Sequence, residues 1–75
     1  MTIEVTLAID PAGLGDGQTT AIVAAQLLDL GGLMFSWTPA LEGAPARARF
    51  RLATDRDLDR FALKALKIPG VSLIT

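Results

Sequence analysis

The sequence contains no cysteine and no histidine. The chain therefore has no thiolate nucleophile, no imidazole base and no soft metal ligand. These absences exclude zinc sites, iron–sulfur clusters, cysteine hydrolases and a Ser-His-Asp triad. Because no other base stands out beside the serines and threonines, we expect a protein that is not an enzyme and that holds no metal and no cofactor.

Long apolar runs are also missing. No stretch approaches the roughly 20 apolar residues that a membrane-spanning helix requires. Met1 leads directly into an acidic, strand-like segment without a basic region, which predicts that there is no signal peptide. We therefore expect a soluble, cytoplasmic protein without a membrane partner. A chain of 75 residues has room for one domain, residues 1–75.

The spacing of the apolar residues predicts four strands and two helices. Apolar and polar residues alternate along two segments, and apolar residues recur every three or four positions along two others. A capping box of the form Thr-x-x-Asp opens the second helix at Thr54, and Pro69-Gly70 ends it. The predicted strands are residues 3–9, 33–37, 46–52 and 71–75, and the first helix runs roughly from 20 to 30.

The order β-α-β-β-α-β is that of a ferredoxin-like α+β sandwich. Right-handed crossovers place the first strand beside the third in the centre of an antiparallel sheet. Both helices then cover one face, and the other face, called here the open face, is left bare.

Alternation assigns each strand residue to one of these two faces. In the second strand, we expect Leu33, Phe35 and Trp37 to point toward the helices. Glu4 is expected beside one of three arginines of the third strand. Side chains predicted on the open face are Thr2, Glu4, Thr6, Ala8, Met34, Ser36, Arg47, Arg49, Arg51, Ser72 and Ile74.

The arginines on the open face allow two interpretations. In the first, they belong to a solvated surface with weak ion pairs to neighbouring strands. Alternatively, Arg47, Arg49 and Arg51 form an anion site or a partner surface, because one carboxylate cannot satisfy three guanidiniums.

Every basic residue lies at or after Arg47, and the charged residues before that point are all acidic. Four further basic residues fall on the solvent side of the second helix, away from the open face, so the chain offers no continuous phosphate track. Phe50 alternates with the arginines and has the wrong parity to stack bases on the open face. We therefore expect no nucleic-acid partner.

Leu63 projects from the middle of the basic stripe on the second helix. A single exposed leucine usually has no special role. The alternative is that Leu63 anchors a partner with an apolar patch ringed by acids.

Residues 11–17 form a glycine-rich loop before the first helix. The G-x-G-x-G spacing is neither the dinucleotide fingerprint nor a P-loop, since no G-K-[ST] follows. A plain connection is favoured over a ligand loop on this pattern alone.

Two short motifs resemble those of the ACT-domain family of small regulatory modules. Residues 10–14 (Asp-Pro-Ala-Gly-Leu) are similar to its Asp-x-Pro-Gly-Leu turn after the first strand, with the proline displaced. Residues 68–71 (Ile-Pro-Gly-Val) are similar to its entry to the last strand. Family members typically bind amino acids or other small effectors at the first loop, often across a dimer interface. The resemblance implies that Asp10, Gly13 and Leu14 contact such a ligand.

These observations leave two functional hypotheses. The first is a non-catalytic regulatory module that senses a small molecule such as an amino acid and forms a homodimer. The second is a protein-interaction or assembly domain without a small-molecule ligand, in which Leu63 and the arginines contact the partner.

Overall fold

The computed structural model describes residues 2–74. It contains four strands and two α-helices in the predicted order, with one short 3₁₀ helix after the first strand. The strands are β1 (Ile3–Ile9), β2 (Leu33–Thr38), β3 (Ala46–Leu52) and β4 (Val71–Leu73), the helices are α1 (Thr20–Leu28) and α2 (Asp55–Ala65), and the 3₁₀ helix is Pro11–Gly13.

The four strands form one antiparallel sheet in the order β2-β3-β1-β4. As predicted, β1 and β3 lie side by side in the centre. All seven residues of β1 pair with all seven of β3, from Ile3 opposite Leu52 to Ile9 opposite Ala46. The arrangement is that of a ferredoxin-like fold. Among the described residues, no helix has the length and apolar character that crossing a membrane would take.

The core lies between the helices and the face of the sheet that they cover. Alternate residues of β3 are buried, and the arginines between them are exposed, which confirms the predicted alternation. The rings of Phe50 and Phe61 contact each other at a tilt, with their centroids 4.9 Å apart, and join β3 to α2. Such an aromatic pair contributes about 0.5–1.5 kcal/mol beyond the apolar area that it buries. The largest fully buried side chains are Phe50, Phe61, Leu7, Ile9, Leu27 and Val23.

Side-chain caps fix where the two helices begin. The hydroxyl of Thr19 accepts a hydrogen bond from the Ile22 amide at 3.2 Å, and that of Thr54 accepts one from the Asp57 amide at 3.1 Å. The second bond is the predicted capping-box contact, since a threonine side chain satisfies an amide that has no partner within the helix. Helix α1 ends at Leu28, two residues earlier than the sequence pattern indicates.

The edge strand β2 contradicts the predicted assignment of faces. Its pairing with β3 shifts at Phe35, which has no partner of its own, so β2 contains a bulge. Met34 lies opposite Phe50 and packs against the core, whereas it was expected on the open face. Leu33 lies opposite Arg51 on the open face, whereas it was expected toward the helices.

Phe35 is likewise on the open face, against the prediction. The Arg49 and Arg51 side chains of that face lie over its ring. Trp37 is opposite Ala48 on the predicted side, but at the sheet edge it remains 37% exposed. The physical reason for the error is that one additional residue reverses the alternation along a strand. Four of the first five residues of β2 are apolar, so the pattern of apolar and polar residues does not reveal where the alternation reverses.

Candidate functional site

The two motifs that resemble those of ACT domains meet at one end of the sheet. The Asp10 amide donates a hydrogen bond of 2.8 Å to the Gly70 carbonyl. Gly13 packs so closely that a Cβ on it would lie 3.0 Å from the Gly70 Cα. The loop after β1 and the turn before β4 therefore form one packed unit.

The three ligand residues that the resemblance implies all hold this unit together. The Asp10 carboxylate accepts a hydrogen bond of 3.0 Å from the Ala12 amide and thereby caps the 3₁₀ helix. Leu14 is half-buried and packs against the core, close to Gly70. Asp10, Gly13 and Leu14 therefore lie together in the loop, and each makes a contact that fixes its shape.

A cavity of about 430 Å³ opens beside this packed unit. Val23 of α1 is fully buried and forms part of its floor. Across the cavity, the side-chain amide of Gln26 donates to the side-chain oxygen of Gln18 at 3.2 Å. The complete lining is Gly15, Asp16, Gln18, Val23, Gln26, Lys67, Ile68 and Pro69.

The lining of this cavity combines charges of opposite sign. Asp16 comes from the loop after β1, and Lys67 comes from the segment after α2. Gln18, Gln26 and Lys67 were not identified from the sequence because only folding brings these segments together. The one available signal was Asp16, which directly follows the motif of residues 10–14.

The open face carries an aromatic side chain that the sequence pattern did not predict there. The guanidinium carbon of Arg51 lies 4.3 Å from the Phe35 ring centroid, and that of Arg49 lies 5.1 Å from it. Both distances are typical of cation–π contacts. Glu4 lies opposite Arg51, as predicted, yet no ion pair between them is observed. One reason to expect no nucleic-acid partner was that the open face would carry no aromatic side chain. That reason is wrong, and the absence of such a partner stays a prediction.

Another cavity, of about 400 Å³, lies on the open face. Its lining comes from all four strands or their ends and contains two of the three arginines. The residues are Thr6, Ser36, Thr38, Arg47, Arg49 and Ile74. Within residues 2–74, no three carboxylates gather as the ligands of a metal ion would.

Helix α2 exposes apolar side chains as well as charged ones. Leu63 is 64% exposed, in agreement with its predicted position, and Leu66 is 47% exposed. Because residues three apart are neighbours on a helix surface, Leu63 and Leu66 form one small apolar area.

The fold and these surfaces define a ferredoxin-like α+β domain with two cavities beside the loop after β1 and a further cavity on its open face. The chain matches no family model, and no curated protein is significantly similar to it in sequence.

Proposed function

We propose that this chain is a non-catalytic, cytoplasmic regulatory module that binds a small effector, as its resemblance to ACT domains implies. The observation that supports this proposal is the cavity beside the loop after β1. Ile68 and Pro69 of the second motif line this cavity, whereas Asp10, Gly13 and Leu14 do not, and its volume of about 430 Å³ suits one small molecule.

An amino acid is the effector whose chemistry best suits the lining. The Asp16 carboxylate is a partner for its ammonium group, and the Lys67 ammonium is a partner for its carboxylate. Ile68 offers apolar contact to a side chain. The Gln18–Gln26 hydrogen bond leaves the NH₂ group of Gln18 and the side-chain oxygen of Gln26 free to bond a polar ligand.

A homodimer is part of the same proposal. Leu63 and Leu66 leave apolar surface on α2 that a second copy would cover. Burial of apolar surface favours association, against the loss of translational and rotational freedom that association costs.

A thermal-shift screen of the twenty common amino acids tests the effector. A ligand at 100 times its Kd stabilises the native state by about 2.7 kcal/mol. For a domain of this size, that stabilisation raises Tm by more than about 10 °C. We expect Lys67→Gln and Asp16→Asn to abolish the shift. Lys64→Gln is the matched control, because Lys64 lies one turn earlier and outside the cavity. No shift with any amino acid would contradict the proposal.

The second candidate is a protein-interaction or assembly domain without a small-molecule ligand, in which the exposed Leu63 contacts the partner and no amino acid shifts Tm. If self-association depends on α2, Leu63→Asp converts a dimer into a monomer in sedimentation experiments without unfolding the domain. Leu41→Asp is the control, since Leu41 is 69% exposed in the turn before β3. Equal association of the wild type and both variants would exclude this use of α2.

A further inference from the structure

We propose that the cavity on the open face is an anion site that binds the phosphate group of a small phosphate ester. This inference is independent of the effector site, because the two cavities share no residue. Failure of either proposal therefore leaves the other intact.

The strand register places a residue with a hydroxyl group on each side of Arg49. Arg49 of β3 lies opposite Thr6 of β1 on one side and Ser36 of β2 on the other. Side chains directly opposite one another on neighbouring strands have Cβ atoms about 4.5–5.5 Å apart. The three side chains thus form one row across the sheet on the same face.

The next row adds a second guanidinium and a third hydroxyl. Arg47 lies opposite Thr38 of β2 and opposite Ala8 of β1. Ala8 is only 7% exposed, although it was expected to reach water on the open face. Two guanidiniums and three hydroxyls therefore surround one hollow.

The charge of this hollow matches that of a phosphate monoester. The lining contains Arg47 and Arg49 and no carboxylate, since Glu4 lies opposite Arg51, outside the cavity. A phosphate monoester carries about −1.5 to −2 at pH 7. Arginine binds phosphate oxygens through two parallel N–H groups, and hydroxyls can donate to the oxygens that remain. A carboxylate, with one negative charge, would leave one guanidinium unmatched.

Phe35 restricts one of the two arginines before any ligand arrives. The Arg49 guanidinium carbon lies 5.1 Å from the Phe35 ring centroid, and the bulge in β2 brings that ring to the open face. A side chain that is already held loses less conformational freedom when it binds.

The ligand must be larger than phosphate alone. A hollow of about 400 Å³ exceeds what one phosphate fills, and Ile74, 45% exposed, lies at its edge as an apolar wall. We therefore assign the site to a small organic molecule whose phosphate lies between Arg47 and Arg49.

Titration with phenyl phosphate, followed by amide chemical shifts, tests the assignment. We expect the Thr6, Ser36 and Thr38 amides to move together and saturate. Arg49→Gln and Arg47→Gln should each weaken binding about tenfold or more, because each removes charge-assisted hydrogen bonds. Arg56→Gln is the matched control: it changes the net charge equally, on an exposed position of α2 outside the cavity. We expect it to change Kd less than about twofold, because exposed charges beyond a Debye length are largely screened.

Three results would overturn the assignment. The first is an absence of saturable shifts, and the second is an Arg56→Gln effect as large as that of Arg49→Gln. The third is binding of a single-stranded oligonucleotide that tightens with its length, since that would indicate a nucleic-acid surface. Liposomes that contain phosphatidate identify the source of the phosphate. If the wild type binds them and Arg49→Gln does not, the phosphate belongs to a lipid headgroup. If the wild type does not bind them, the phosphate belongs to a soluble ester.

Discussion

The two faces of β3 carry opposite kinds of side chain. On the covered face, Ala48 and Phe50 are completely buried, and on the open face the arginines between them are exposed. The same seven residues thus hold the core together on one side and present positive charge on the other. Substitutions on the covered face should cost stability, whereas those on the open face should cost binding.

The sharpest test of this difference is Phe50→Ala. Phe50 is completely buried and stacks on Phe61, so truncation leaves a cavity between β3 and α2. Replacement of a buried phenylalanine by alanine lowers the free energy of unfolding by about 3–5 kcal/mol. That loss is a large fraction of the total for so small a domain. Urea denaturation measures it.

Phe50→Leu keeps the test decisive if the alanine variant does not fold. Leucine retains apolar volume but loses the ring contact, so we expect a smaller loss than for alanine. Arg49→Gln on the opposite face should leave the unfolding midpoint nearly unchanged, since its side chain is exposed. An Arg49→Gln loss equal to that of Phe50→Leu would refute the contrast between the faces.

The fold was predictable where one face of an element is apolar and the other is polar. In β3, the arginines leave only one way to bury the strand, and β1 lies beside it as predicted. In β2, both faces carry large apolar side chains, so the sequence does not show where the alternation reverses. The bulge at Phe35 depends on the pairing with β3, and a single strand's sequence carries no signal for such pairing.

The candidate sites were predictable only in part for a similar reason. The third-strand arginines were identified because alternation puts them on one face. Their hydroxyl neighbours became evident only through the register of β1 and β2. In the other cavity, Asp16 and Lys67 are 51 residues apart along the chain, and only the contact between the loop after β1 and the turn before β4 brings them together.

A second prediction concerns the end of the sheet, where backbone rather than side chains is packed. Gly70 has φ +85°, and a Cβ there would lie 2.9 Å from both the Asp10 carbonyl oxygen and a Leu14 methyl carbon. Gly70→Ala therefore combines left-handed strain with a steric overlap. We expect the free energy of unfolding to fall by about 2–3 kcal/mol.

Gly43→Ala separates these two causes. Gly43 has φ +78°, yet nothing lies within 4 Å of a Cβ built on it. It should cost only the strain of a left-handed alanine, about 1 kcal/mol. Equal losses for the two variants, measured by urea denaturation, would show that the contact between the loop after β1 and Gly70 contributes no packing constraint.

An effect much smaller than that of Phe50→Ala is expected for Phe35→Ala on the open face. Phe35 is half-buried and lies beneath Arg49 and Arg51, so its removal loses cation–π contacts and some apolar burial. We expect the free energy of unfolding to fall by about 1–2 kcal/mol, well below the cost of Phe50→Ala. Phe35→Leu retains most of the apolar contact but not the ring, so the difference between the two variants in urea denaturation isolates the aromatic contribution. If Phe35→Ala proved as costly as Phe50→Ala, the open face would be as much a structural surface as the covered one.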